Sequence, residues 1–533
     1  MWPATLSISR VLGLVVVVVL GFTVLVGTTL GGRYRVAPPV LLLCFGGLLG
    51  LIPALSQVEL EPDVVLLLFL PPILYWESLN TSLREIRANL RVIVLSSVVL
   101  VVVTMAAVAY AGRALGVDPR AAWVLGAVLA PTDAAAVAGL AKRLPRRTLT
   151  TLRAESLIND GTALVLFAVA TAAAVGETQP SPLALAGRFL GSYAGGIVAG
   201  LIASGAVVAV RRRLDDPHRE GTLSVLTPFF AFLLAELVHA SGVVAVVVAG
   251  LVLSYAGPRV IRARSRTQAF AFWDQATFMI NGGLFVLVGV QFKRAVDNLD
   301  GTSLAHAFGI AVGITLVVIG TRLVWIHTTP YIIRAVDRRA VQRTRRIGWR
   351  QRMVSGWAGF RGAVSLATAL AVPSTLADGT PFPDRDLIVF VASVVILLIM
   401  LLQGTTLPVV VRWARLPEDT GRAEELVRAR VKAADVALAA LPGLAADVGV
   451  DDEHLRRLQV EYEEFREAVA DDASDDTTAR ARDRQLRLAV LSAKRQAVTA
   501  MRDANEIDDI VLRELQAAMD VEEVRLLGPV TPD

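Results

Sequence analysis

The amino-acid sequence predicts an all-α membrane protein, with about thirteen transmembrane helices followed by a helical tail. Three observations carry this. Hydrophobic residues make up 54% of the 533 residues and charged ones only 19%, against roughly 25% charged in soluble domains. Apolar runs such as Val92–Ala111 (VIVLSSVVLVVVTMAAVAYA) hold about 20 residues without a charge, enough to cross a ~30 Å hydrocarbon core. The character of the chain also changes: long apolar runs alternate with short charged links up to Val411, whereas after Pro417 charges are dense and glycine and proline sparse. Two domains are expected, a membrane domain over residues 1–412 and a cytoplasmic helical domain over residues 413–533.

A window of about 19 residues sets the spans near 9–30, 37–54, 62–79, 92–112, 121–140, 151–175, 187–210, 222–239, 242–257, 272–291, 304–333, 353–373 and 387–411. The first is read as retained, because Val11–Leu30 is longer than a ~7–15 residue signal core. Basic residues sort the links into two sets. Arg84, Arg87 and Arg91, then Lys142 to Arg147, Arg211 to Arg219, Arg259 to Arg266 and Arg334 to Arg352 fall on one side, while the alternate links are poor in them. That alternation places the N-terminus outside and the tail in the cytoplasm of a cell membrane. The formal charge of +5 is then largely a topology signal, and nucleic acid is not expected as a partner. In the tail, Leu455, Leu458, Tyr462 and Phe465 recur at helical steps, and DDASDDTT at residues 471–478 reads as a link.

Several function classes fall away. Cys44 is the only cysteine, so disulfides and thiolate metal sites are unsupported. His218, His239, His306, His327 and His454 are scattered and suggest no nucleophile–base pair, so no enzyme and no cofactor are expected. No Walker-type glycine loop points to a pump, and no filter-like repeat points to a channel.

Ionisable groups at bilayer depth cost at least ~2.5–3.5 kcal/mol each on insertion scales, so they mark function. The deep set is Glu77, Asp133, Glu155, Asp160, Glu236, Asp274, Arg322 and Arg361. In the fifth span, Pro131 removes a backbone donor and frees carbonyls, and Thr132 or Asp133 can cap a resuming helix or help hold an ion. In the sixth span, ESLINDG places Ser156 with Asp160 and Glu155 with Asn159 at four-residue steps, as two adjacent polar stripes. Such oxygen-only groups suit a hard cation; a structural hydrogen-bonding role for Asp160 is the alternative. In the twelfth span, Gly356, Gly359 and Gly362 loosen the chain around Arg361, which needs a carboxylate. Its rank, the fifth plus seven, is where an inverted repeat would place a second broken helix. In the third span, Pro71 and Pro72 kink the helix before Glu77, a candidate for the site or for the interface.

Together, ESLINDGTALVLF, APTDAAAV, LPPILY, AELVHASG, NGGLFVLVGV and GFRGAVS resemble the sodium/proton exchanger branch of the monovalent cation/proton antiporters, over about residues 10–412. The resemblance implies a homodimer with two crossed, partly unwound helices. It implies that Asp160 is the ion- and proton-binding carboxylate with Asn159 as partner. Thr132 and Ser156 would lend oxygens, so that Asp160, Ser156 and Thr132 hold Na+. Asp133 belongs to the broken helix, and Glu155 with Arg361 is the expected structural ion pair. The sequence departs from the family at Glu77, one place later than the usual acid, and at Ala134, where a proline is more common. Sodium and protons are the implied cargo, with lithium or potassium as further candidates and pH homeostasis as the setting. Electrogenic relatives carry two adjacent aspartates and a membrane lysine. Here Asn159 replaces the first aspartate, and Lys142, Lys293, Lys432 and Lys494 all lie in links or the tail. One-for-one electroneutral exchange is therefore expected.

Overall fold

The computed structural model describes residues 4–34, 37–56, 65–81, 83–133, 146–176, 182–297, 299, 303–336, 348–416, 421–470, 477–504, 506 and 509–527. It is nearly all helical, with only an isolated bridge between Thr375 and Pro381 among these residues. Two compact units divide at Pro417, Met1–Pro417 and Glu418–Asp533.

In the first unit, α1 spans Ala4–Tyr34, α2 Pro38–Leu49 and α3 Pro53–Ser56; a π-helical turn at Val65–Phe69 leads into α4, Leu70–Leu79. Then come α5 (Leu83–Val94), a second π-helical turn (Leu95–Val99), α6 (Leu100–Ala114) and α7 (Pro119–Leu129). They are followed by α8 (Arg146–Val175), α9 (Pro182–Arg211), α10 (Pro217–Glu236), α11 (Gly242–Val260), α12 (Ala263–Asp297) and α13 (Leu304–Val336). The unit closes with α14 (Trp349–Trp357), α15 (Ala363–Leu370) and α16 (Arg385–Ala414).

Eight helices among the described residues are long and apolar enough to cross a bilayer. That is fewer than the number of spans expected, for local reasons. Pro38–Leu49, Leu67–Leu79 and Pro119–Leu129 are apolar but short. The expected twelfth span is split into α14 and α15, and α10 opens on the polar run His218, Arg219, Glu220. The second half of the expected fifth span, the links at 141–145 and 337–347, and residues 471–476 of the tail lie outside the described residues.

Local chemistry explains the boundaries. Asp118 caps α7 by accepting from the N–H groups of Arg120 and Ala121, with Pro119 where no donor is needed. Asp216 and Pro217 open α10 in the same way, and the Arg219 and His218 backbone donors hold the exposed Asp216 carboxyl below its usual range. Ser241 caps α11 through the Val244 N–H. The paired prolines of the third span sit in the first turn of α4, so the expected kink gives way to the π-helical turn just before them.

With lipid as apolar as the side chains, helices pack by close approach rather than by hydrophobic exclusion. The tightest crossing is α2 on α12. A Cβ at Gly46 would stand 2.2 Å from the Val286 carbonyl oxygen, and one at Gly289 2.3 Å from the Leu43 carbonyl oxygen. Two glycines face each other there because no side chain fits. Asp274 and Glu236, expected at depth, are exposed on the surface of this unit.

The second unit consists of two helical hairpins. α17 (Gly421–Val448) packs on α18 (Asp452–Ala470), joined by Arg466 to Asp435 at 2.5 Å. α19 (Thr477–Asp503) packs on α20 (Asp509–Leu527), with Arg495 bridging Asp520 and Glu523. The stripe Leu458, Tyr462, Phe465 on α18 is exposed.

The glycine crossing yields a test. Gly289→Ala should force α2 and α12 apart and destabilise the protein by about 1–3 kcal/mol, read as a lower midpoint of unfolding in detergent. An unchanged midpoint would mean that the two backbones are not in contact.

Candidate functional site

The site forms where two helices stop. α7 ends at Leu129, and residues 130–133 are not helical; α14 ends at Trp357, and residues 358–362 are not helical. Pro131 has no N–H to give the Ala127 carbonyl, which accepts instead from Ala130 at a long 3.4 Å. In an uninterrupted helix the Asp133 N–H would donate to the Leu129 carbonyl. Here it donates to the Phe360 carbonyl, at 2.8 Å. The Leu129 carbonyl accepts instead from Arg361 Nε, at 3.1 Å. The two interruptions have thus exchanged partners, each satisfying a backbone group that the other lost.

Glycine makes the crossing possible. A Cβ at Gly362 would lie 1.6 Å from Asp133 Oδ2, so no other residue leaves room for that carboxylate. Gly362 also precedes the first turn of α15, whose N-terminal N–H groups favour a nearby negative charge.

α8 brings the polar stripes of the sixth span against this crossing. Asn159, 1% exposed, donates from Nδ2 to Thr132 Oγ1 at 2.7 Å, while its Oδ1 is buried without a hydrogen bond. Asp160 and Ser156 are buried on the neighbouring stripe. Asp160 lies within electrostatic reach of Glu77 and Asp133, and Glu77 within reach of Asp133 and Arg153. Glu77 is half-buried on α4. The carboxylates therefore share one region. Among the described residues no three His, Cys, Asp or Glu side chains converge closely enough to hold a metal ion.

The expected pairing of Glu155 with Arg361 is corrected. Glu155 Oε1 is bridged by Arg322 Nη1 at 2.6 Å, both side chains buried. Arg322, from α13, also donates from Nη2 to the Ser355 carbonyl at 3.3 Å. Arg361 spends its donors on backbone, Nε on Leu129 and Nη1 on Gly359 at 2.5 Å. The reason is the break itself: the carbonyl orphaned at Leu129 needs a donor, and Arg361 is beside it. Gly359 packs on the Arg322 side chain, where a Cβ would meet Cδ at 2.4 Å.

Sequence reasoning placed Arg322 at depth but gave it no partner. It did not foresee Ser97, which sits in the π-helical turn of Leu95–Val99 and donates to the Glu155 carbonyl at 3.0 Å. A narrow crevice is lined by Ser96, Thr104, Thr132, Asn159, Arg322 and Arg361, with apolar residues between them. Asp160, Ser156 and Glu77 are not on its wall.

Comparison with known proteins agrees with this fold. The family model for the transmembrane part of sodium/hydrogen exchangers matches residues 20–413. The chain is 59% identical over 526 residues to an uncharacterised Na+/H+ exchanger of Mycobacterium tuberculosis, covering 97% of each. It is 31% identical to a sodium, potassium, lithium and rubidium/H+ antiporter of Bacillus pumilus, over 69% of this chain and 57% of the relative. Among solved structures, the sodium proton antiporter MjNhaP1 of Methanocaldococcus jannaschii shares the fold. Its TM-score is 0.59 at 17% identity, covering 75% of this chain and 99% of that one.

The corrected ion pair can be measured by double-mutant cycles in a reversible unfolding assay. Glu155→Gln combined with Arg322→Gln should return a coupling of about 2–3 kcal/mol, and Glu155→Gln with Arg361→Gln well under ~1 kcal/mol. Equal couplings would mean that the two arginines share the glutamate.

Proposed function

The chain belongs to the sodium/hydrogen exchanger family, a family of transporters rather than enzymes, and from that premise we propose that it exchanges one sodium ion for one proton by competition at Asp160. The observation that carries this reading is a buried Asp160 next to Asn159, whose amide is held by Thr132 at the crossing of the two interrupted helices. A carboxylate in low dielectric is costly as a bare anion and is relieved by either a proton or a cation. Sodium arriving from one side displaces the proton. After the site turns to face the other side, a proton displaces sodium. Coupling is the inability to hold both.

Asp160, Ser156 and Thr132 are the oxygens assigned to the ion. Asn159 Oδ1, buried without a hydrogen bond, is a fourth candidate. Asp133 lies against the start of α15 and Glu77 completes the acidic region, where both attract the cation without needing to ligate it. Electroneutrality rests on charge balance: Glu155 is spent on Arg322, and Asn159 cannot titrate. The N-terminus is assigned to the outside, the tail to the cytoplasm, the working unit to a homodimer in the cell membrane, and the physiological role to pH homeostasis.

Potassium is the competing cargo, since the Bacillus pumilus relative is named for four alkali cations and the oxygen set here does not discriminate by ligand type. Proteoliposome fluxes decide between them: sodium and lithium gradients should drive proton movement, and a potassium gradient markedly less. Potassium-driven flux equal to that with sodium would replace the cation in this reading.

The Asp160→Asn variant should remain folded and lose sodium-dependent proton flux entirely; normal flux would overturn the assignment. An imposed voltage should leave wild-type exchange unchanged, and a strong voltage response would refute one-for-one exchange.

A further inference from the structure

The second unit leaves most of its apolar surface open. Among its described residues, Ala434, Leu491, Leu512 and Met519 are the buried apolar side chains, the last three on α19 and α20. Burial of so little apolar surface does not offset the entropy of ordering four long helices. Two stripes stand open. On α18, Leu458, Tyr462 and Phe465 follow at steps of four and three, with Tyr462 39% and Phe465 52% exposed. On α19, Leu486 and Val490 are one turn apart, 64% and 48% exposed. The buried Leu491 lies on a different side of α19 from Leu486, so this helix is apolar on two sides and α20 covers one of them.

The two helices carry opposite charge. α18 holds six acidic and three basic residues, net −3, and α19 seven basic and two acidic, net +5. The acids crowd the second half of α18, as Glu461, Glu463, Glu464 and Glu467, and the bases the first half of α19, as Arg482, Arg484 and Arg487. Charge also flanks each stripe: Glu461 stands one turn before Phe465, and Arg482 one turn before Leu486. Only six residues separate Ala470 from Thr477, yet α18 and α19 of one chain do not cover each other's stripes. An anionic membrane surface would attract α19 but repel α18. A second copy of the chain offers an acidic apolar stripe to the basic one and a basic stripe to the acidic one.

We propose that the tail is a self-recognition surface, in which α18 packs antiparallel on α19 of a second copy of the chain. Leu458, Tyr462 and Phe465 meet Leu486 and Val490, and the antiparallel order sets the acidic half of α18 beside the basic half of α19. Twofold symmetry repeats the contact, with α19 against the other copy's α18, so the two tails close as a bundle of paired hairpins. Burial of both stripes supplies the apolar core that one tail lacks, and opposite charge fixes which helices meet. The contact goes beyond the homodimer assigned above, because it names a surface on the tail that recognises its own copy.

Cysteine bridging in the detergent-purified full chain tests the contact. Cys44, the only native cysteine, is first removed as Cys44→Ser. Two differently tagged chains, one with Tyr462→Cys and one with Val490→Cys, are co-expressed and oxidised with copper phenanthroline. They should link across tags, with a yield about fivefold above that of Tyr462→Cys with Ser492→Cys, an exposed position on the opposite side of α19. Arg482→Glu with Arg484→Glu should lower the yield about tenfold, and Glu461→Arg with Glu464→Arg in the other chain should restore it. Equal yields with Val490→Cys and Ser492→Cys would overturn the proposal, since proximity alone would then explain the bridge. A bridge closed within one chain that carries both cysteines, in place of one between chains, would overturn it too. A dimeric mass by light scattering without the bridge would sink the tail contact and leave the homodimer assignment standing.

Discussion

The arrangement of this site depends on an exchange of backbone hydrogen bonds between two broken helices. Within a bilayer, an N–H or carbonyl that loses its helical partner has no water to turn to, so a break is tolerated only where another element completes it. Pro131 makes the first break by removing a donor, and the segment 358–362 makes the second. Each repairs the other through Asp133 N–H to Phe360 and Arg361 Nε to Leu129. Because neither segment can be satisfied alone, the two must be adjacent. That adjacency places Asp133, Thr132 and Arg361 within one small volume.

The second constraint is charge. Two guanidinium groups, Arg322 and Arg361, are buried near a single paired glutamate. Burying a charge is affordable only with a partner or with strong hydrogen-bond acceptors. Glu155 neutralises Arg322, and Arg361 takes carbonyls whose dipoles the breaks have exposed. With Glu155 committed in this way, Asp160, Asp133 and Glu77 form a separate acidic region, the one that the proposed exchange assigns to the ion. The division of labour is one of geometry. Along α8, Glu155 and Asn159 face the arginines and the crossing, and the stripe beside them carries Ser156 and Asp160.

Close approach of backbones is the third element. Gly46 against Gly289 lets α2 lie directly on α12, and Gly362 admits the Asp133 carboxylate at the foot of α15. In lipid such contacts replace the hydrophobic driving force that water would supply.

Much of this was legible in the sequence, for identifiable reasons. Uncharged runs of bilayer length, the proline at 131 and the four-residue spacing of Glu155, Ser156, Asn159 and Asp160 are local features, and local backbone chemistry sets a helix, its end and the face a residue occupies. They were enough to give the helical membrane class and to single out polar residues that the structure gathers near the two interrupted helices. The tertiary structure decided who pairs with whom. Arg322 and Arg361 look equally needy of a carboxylate in the sequence, and only the packing of α13 against α8 gives Glu155 to the former while the orphaned Leu129 carbonyl claims the latter. The short helices, the π-helical turn that aims Ser97 at the Glu155 carbonyl, and the exposure of Asp274 and Glu236 were likewise settled by neighbours distant in the chain. A hydrogen bond or an ion pair is short-ranged in space and blind to sequence separation, so its partner is fixed only when the chain has folded.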